Sequence, residues 1–162
     1  MGLTTIGIFH TIIGIISLGA AILSYVKWGK IYLSKLSGKV YFYGTLITSL
    51  SALGISKHGG FNAGHYASLA IVVLLLLSFY IHKRLSNNKN LRYVENLILS
   101  FTFFFSWIPT ITETFTRVPV AHPLAKDAKD PVIGNTILLF FVLFLIGSVY
   151  QFIQQRKINK SS

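Results

Sequence analysis

The chain has 162 residues, of which 52% are hydrophobic and only 12% charged, and its net charge is +11. A soluble domain usually carries about 25% charged residues, so one small soluble core is a poor match to this composition. The absence of cysteine excludes disulfides, cysteine-ligated metals and thiol catalysis. So high a net charge suggests nucleic acid in a soluble protein, but the apolar excess instead predicts a membrane protein with no nucleic-acid partner.

Five apolar segments predict an all-α integral membrane helical bundle of about five transmembrane helices, since a span needs about 20 mostly apolar residues. In chain order the segments cover about 3–26, 40–55, 66–81, 97–115 and 132–152. The second is short and rich in serine, threonine and glycine, which favours helix–helix packing over lipid contact. Asp130 and Pro131 predict the start of the fifth helix, as N-cap and first helical residue.

The distribution of basic residues predicts the orientation of these spans in the membrane. Eleven lie on one side: Lys27, Lys30, Lys35, Lys39, Lys83, Arg84, Lys89, Arg92, Arg156, Lys157 and Lys160. Four lie on the other: Lys57, Arg117, Lys126 and Lys129. Basic residues collect in cytoplasmic loops, so the N-terminus is predicted outside and the C-terminus in the cytoplasm. We expect one transmembrane domain over residues 1–155, with a basic cytoplasmic tail at 156–162, in the plasma (inner) membrane.

Ionisable side chains inside a span are costly, so His10 in the first span and Glu113 in the fourth need a reason. With the predicted direction, His10, His65 and Glu113 lie at similar depth, roughly 5–10 Å below the outer surface by helix rise. Imidazoles and a carboxylate are ligands of zinc, iron or manganese. We therefore predict an outer divalent-metal site of His10, His65 and Glu113, with His122 or His58 as a fourth ligand.

Each of these side chains also has a simpler structural interpretation. His10 is equally a core histidine bonded to a neighbouring helix, and His65 a residue that only begins a span. Glu113 and Arg117 are four residues apart on one helical face, which favours a plain ion pair. His82 is interpreted as part of the basic cytoplasmic border.

Several segments resemble the DUF2306 family of predicted membrane proteins. They are His10 to Gly14, Ser34-Lys35-Leu36-Ser37-Gly38-Lys39-Val40-Tyr41, Gly64-His65, and Thr112-Glu113-Thr114-Phe115-Thr116-Arg117. The second resembles the family's His-Arg-x-x-Gly-Arg-x-Tyr border motif, with Ser34 where the family usually has His. The resemblance covers about residues 5–119. It implies a multi-span architecture and a pairing of His10, His65 and Glu113, and it implies no reaction.

Three functions remain open, and with them the question of whether the protein is an enzyme. In the first, the metal activates water to hydrolyse a lipid-like substrate, or Glu113, paired to Arg117, acts as general base. In the second, His10 and His65 are axial ligands of a b-type haem that transfers electrons. In the third, the chain is a non-catalytic membrane partner or small transporter subunit, alone in the lipid bilayer or as a homo-oligomer.

Overall fold

Five helices make up most of the part of the chain that the computed structural model describes, which is residues 5–55, 61 and 63–161. In chain order they are α1 (Thr5–Trp28), α2 (Leu36–Ala52), α3 (Ala63–Arg84), α4 (Lys89–Phe115) and α5 (Pro131–Ser161). The described residues contain no strand, so the predicted all-α fold is confirmed.

The turn after α1 is built by a glycine and a buried serine. Gly29 has φ +67°, which an L side chain rarely adopts, and its N–H donates to the Tyr25 carbonyl at 2.8 Å. Helices commonly end at a glycine in this left-handed conformation, just past the last helical residue. The Ser24 hydroxyl then donates to the Lys30 carbonyl at 2.9 Å and accepts from the Tyr32 N–H at 3.1 Å. The connection 29–35 is therefore held against the end of α1.

Small residues let α1 and α2 approach closely. A Cβ on Gly44 would overlap the Ser17 hydroxyl, and one on Gly14 would lie 3.5 Å from Thr48 Cγ2. A Cβ on Gly38 would overlap the Tyr32 carbonyl at the start of α2. The prediction that the glycines and hydroxyl residues of the second segment serve helix packing is confirmed.

Within the described residues, four helices are long and apolar enough to cross a membrane: α1, α3, α4 and α5. This is the architecture of a multi-pass membrane protein. α2 has 17 residues, which at about 1.5 Å per residue spans roughly 25 Å, somewhat less than a bilayer's hydrocarbon core. The fifth span and the direction of the bundle in the membrane remain predictions.

Successive helices run in alternating directions, so that the basic connections meet at one end of the bundle. Ser34 Oγ lies 3.4 Å from His82 Nε2, which joins the start of α2 to the end of α3. Lys30 Nζ donates to Gln155 Oε1 at 3.2 Å, which joins the same connection to α5. We call this region, residues 27–39, 82–92 and 155–161, the basic end.

The core lies between the first four helices, and α5 is attached to it through α4. Tyr41 is fully buried, and its hydroxyl lies 2.9 Å from Thr102 Oγ1 of α4. At the end away from the basic end, Ala125 packs with Ile111 and Ile133. This contact holds the connection 116–130 against the bundle. The remaining surface of α5 is largely exposed and apolar, as expected of a helix that faces lipid.

The helix ends differ from the predicted ones because the apolar pattern marks only the part of a helix inside the membrane. α3 and α4 extend beyond the predicted segments into basic residues, to Arg84 and from Lys89. The predicted tail at 156–162 is helical up to Ser161, as a continuation of α5. α5 begins at Pro131, and Asp130 Oδ1 accepts the Val132 N–H at 3.1 Å, so the predicted cap is confirmed.

Candidate functional site

His10 is held by the end of α2. Its Nδ1 lies 3.0 Å from the Thr48 carbonyl and 3.1 Å from Ser51 Oγ. The carbonyl can only accept, so Nδ1 carries the proton in this hydrogen bond, and Nε2 of the neutral ring keeps a lone pair. The side chain is half-buried, and the carboxylate of Glu113 is close enough to act on it electrostatically. The predicted bond of His10 to a neighbouring helix is confirmed.

The other predicted outer residues lie in different environments. His65 is buried, with 3% of its surface exposed, and its ring stacks on Phe61 at 4.9 Å between centroids. Glu113 pairs with Arg117 at 2.5 Å, and both side chains are largely exposed. An exposed pair of this kind usually stabilises a protein by less than about 1 kcal/mol. His122 is exposed in the connection 116–130.

These side chains do not form a group of metal ligands. Among residues 5–55, 61 and 63–161, no three His, Asp or Glu side chains lie together where they could hold an ion. His58, the alternative fourth ligand, lies outside the described residues. Within the predicted set, His10 and Glu113 interact electrostatically over some distance.

A different histidine–carboxylate pair lies at the basic end. His82 Nδ1 is 2.8 Å from Glu95 Oε1, and the two side chains are 20% and 11% exposed. The carboxylate holds the proton on Nδ1, so Nε2 of the neutral ring is an acceptor. That nitrogen faces Ser34 Oγ at 3.4 Å. The pair joins α3 to α4, and Ser34 extends it to the connection before α2.

A cavity of about 550 Å³ opens beside this pair. Ser34, His82, Lys39 and Lys83 provide its polar lining, and the apolar lining consists of Leu33, Phe42, Tyr43 and Phe79. Phe42 and Phe79 stack with ring centroids 5.2 Å apart, and the Lys83 ammonium lies 5.7 Å from the Phe79 ring centre. The cavity thus combines positive charge with an aromatic wall, and we call it the basic-end pocket.

No protein-family model, curated protein or solved structure matches this chain. The resemblance to the DUF2306 family therefore stays a prediction. The structure shows where the segment from Ser34 to Tyr41 lies. Ser34 contacts His82, Gly38 packs on the Tyr32 carbonyl, and Tyr41 is buried against Thr102.

Polar side chains continue from Glu95 into the bundle. Asn96 Nδ2 and Lys30 Nζ both donate to Gln155 Oε1 at 3.2 Å. Burial lowers the pKa of the Lys30 ammonium, an effect that Glu95 opposes and Arg92 reinforces. Because buried polar groups are costly unless bonded, this network orders the basic end and fixes the surroundings of Glu95.

Sequence reasoning assigned His82 to the basic border and gave Glu95 no role. The signal for Glu95 was its spacing. Glu95, Ile98, Leu99 and Thr102 are buried on one face of α4, at intervals of three and four residues that mark an inward helical face. A carboxylate on such a face needs a partner, and nothing in the sequence says that His82 provides it.

Proposed function

We propose that this multi-pass membrane protein binds an anionic phospholipid of its own bilayer in the basic-end pocket. The observation that carries the proposal is the lining of that pocket. Lys39 and Lys83 offer charge and hydrogen-bond donors to a phosphate, and the Phe42–Phe79 wall offers a surface for the first part of an acyl chain. The volume lies within the usual range of small-molecule sites, roughly 300–1,000 Å³.

The position of the pocket supports a lipid over a soluble ligand. It lies at the basic end, whose helix ends and connections carry eleven of the fifteen lysines and arginines, at the border between apolar and charged residues. With the predicted direction this is the cytoplasmic leaflet, whose anionic lipids attract basic residues by about 1 kcal/mol per side chain. A headgroup in the pocket would leave its acyl chains in the bilayer.

The test measures lipid binding to the purified full chain in a neutral detergent. Short-chain phosphatidylglycerol and phosphatidylcholine are titrated, and the rise in unfolding temperature is recorded. We expect stabilisation by phosphatidylglycerol. We also expect Lys39→Gln with Lys83→Gln to weaken its binding about 30-fold, from about 1 kcal/mol per lysine. The matched control is Lys126→Gln with Lys129→Gln at the opposite end, which should bind as the original chain does.

Three results would overturn the proposal. One is equal stabilisation by the zwitterionic lipid, and another is an equal loss in the control pair. The third is full stabilisation by inorganic phosphate alone, which would make the pocket a site for a soluble anion.

A second candidate function is metal or haem binding at the end of the bundle opposite the basic end, and a single observation favours it. His10 donates from Nδ1 to the Thr48 carbonyl, which is the way metal- and haem-bound histidines are usually oriented, with Nε2 left to bind. We propose His10 as one ligand of a bound transition metal or haem, with His65, Glu113 or His122 as further ligands after rearrangement. Elemental analysis and a visible spectrum test this. Metal or haem that is lost in His10→Ala and kept in His82→Ala supports it, and a colourless, metal-free protein ends it.

A further inference from the structure

Ser34, His82 and Glu95 form a continuous chain of polar atoms at the edge of the basic-end pocket. The distances are 3.4 Å from Ser34 Oγ to His82 Nε2 and 2.8 Å from His82 Nδ1 to Glu95 Oε1. This is the order found in serine hydrolases: a hydroxyl, an imidazole that accepts its proton, and a carboxylate that orients the imidazole. The first contact is long for an O–H···N bond, and such contacts often shorten when substrate binds.

We propose that Ser34 is the nucleophile of an esterase whose substrate is the acyl ester of the lipid in the basic-end pocket. The proposal rests on the proposed function for its substrate class. Ser34 comes from the connection before α2, His82 from the end of α3 and Glu95 from α4. The three residues are remote in sequence, and the alternating helices bring them to one place.

The reaction has two steps. Ser34 Oγ attacks the ester carbonyl carbon while His82 Nε2 takes the hydroxyl proton. The ester C–O bond breaks, the departing alcohol oxygen receives that proton, and an acyl ester remains on Ser34. Water then attacks this ester, again losing its proton to His82, which returns it to Ser34 Oγ. The sum is one ester and one water converted to one carboxylic acid and one alcohol.

The other groups of the pocket match the needs of this chemistry. Negative charge develops on the carbonyl oxygen during attack, and the ammonium groups of Lys39 and Lys83 line the same cavity. Glu95 does not touch the substrate and is a positioning residue. Its side chain is only 11% exposed and holds the His82 proton on Nδ1, which leaves Nε2 free to act as base.

A small fluorophosphonate tests the nucleophile without any lipid. The full chain in detergent is incubated with the probe, and the adduct is located by intact mass and peptide mapping. We expect one adduct, on Ser34. Ser34→Ala should abolish it, and Ser37→Ala, a serine three residues further along the same segment, should leave it unchanged. His82→Ala should slow labelling by at least 100-fold, within the range for a lost general base.

The role of Glu95 is tested by a conservative rescue. Glu95→Gln keeps the size of the side chain and removes the charge that holds the His82 proton on Nδ1, so we expect slower labelling of Ser34 by the fluorophosphonate. Glu95→Asp keeps the carboxylate and should restore part of that rate. A merely structural pair would leave the labelling rate of Ser34 unchanged in both variants.

The outcomes separate this inference from lipid binding. Lipid binding is measured by the titration of the original chain, and adduct formation is measured with the neutral probe in the absence of lipid, so that each proposal can fail without the other. The esterase proposal fails if the original chain gives no adduct, or if the adduct lies on another residue. It also fails if the labelled protein hydrolyses phosphatidylglycerol as fast as the unlabelled one. Failure of lipid binding alone would leave the Ser34 adduct and would remove only the substrate class.

Discussion

Substitution of Gly44 by alanine tests the close contact between α1 and α2. The new Cβ would overlap the Ser17 hydroxyl and lie 3.2 Å from Ser17 Cβ, so either the serine or the α1–α2 pair must move. Ser17 is buried and its hydroxyl already donates to the Ile13 carbonyl at 2.7 Å, which limits its freedom. Overpacking of this kind costs about 1–3 kcal/mol.

The matched control is Gly19→Ala on α1, where a Cβ would meet nothing within 4 Å. There the change removes a helix-interior glycine and should stabilise by about 0.5–1 kcal/mol. The two variants are thus expected to differ by roughly 1.5–4 kcal/mol in unfolding free energy. Ser17→Ala together with Gly44→Ala should recover part of the loss, since the hydroxyl contact disappears and the Cβ contact remains.

The assay is unfolding of the purified chain in mixed micelles, followed by loss of helical circular dichroism as denaturing detergent is added. The reasoning would be refuted if Gly44→Ala proved as stable as Gly19→Ala. That result would mean that α2 does not lie close to α1, and the position of His10 against Thr48 would lose its support.

Three further predictions concern other parts of the fold. Backbone N–H bonds lower the pKa of the exposed Asp130 carboxyl from its ordinary value of 3.8. Its contribution to holding the start of α5 is therefore present above that value and is lost as the pH falls through the lowered pKa. In the original chain proteolysis before α5 should thus increase at low pH, whereas in Asp130→Asn it should be independent of pH between about 3 and 6. Tyr41→Phe should destabilise by about 0.5–1.5 kcal/mol through loss of the bond to Thr102, measured in the same micelle assay, and an unchanged stability would contradict a buried bond. Because the chain has no cysteine, single cysteines at Val120 and Lys157 should label from opposite faces of a sealed vesicle, and labelling from one face would refute the alternating topology.

The architecture could be read largely from the sequence, and the site could not. Apolar runs located all five helices, and the basic residues that marked one side in the sequence do meet at one end of the bundle. Asp130 and Pro131 fixed the start of α5 because capping depends on adjacent residues. The site, in contrast, depends on which helix faces which, and a single sequence carries little information about that.

His10 and His82 illustrate the limit. Both lie on apolar helices, and burial cost alone directed attention to His10, the more deeply placed of the two in the sequence. The structure gives His10 a backbone carbonyl as partner and gives His82 a carboxylate. The difference arises from the packing of α3 on α4, which places His82 beside a residue 13 positions later.

The apolar surface of α5 has a consequence for how the helix is held. A helix of 31 residues with so uniform a surface has no preferred rotation about its own axis in lipid. Gln151 and Gln155 supply one, because Gln151 accepts from Ser100 at 2.9 Å and Gln155 accepts from Asn96 and Lys30. Two amides one turn apart thus fix both the rotation of α5 about its own axis and its position along that axis relative to the other four helices.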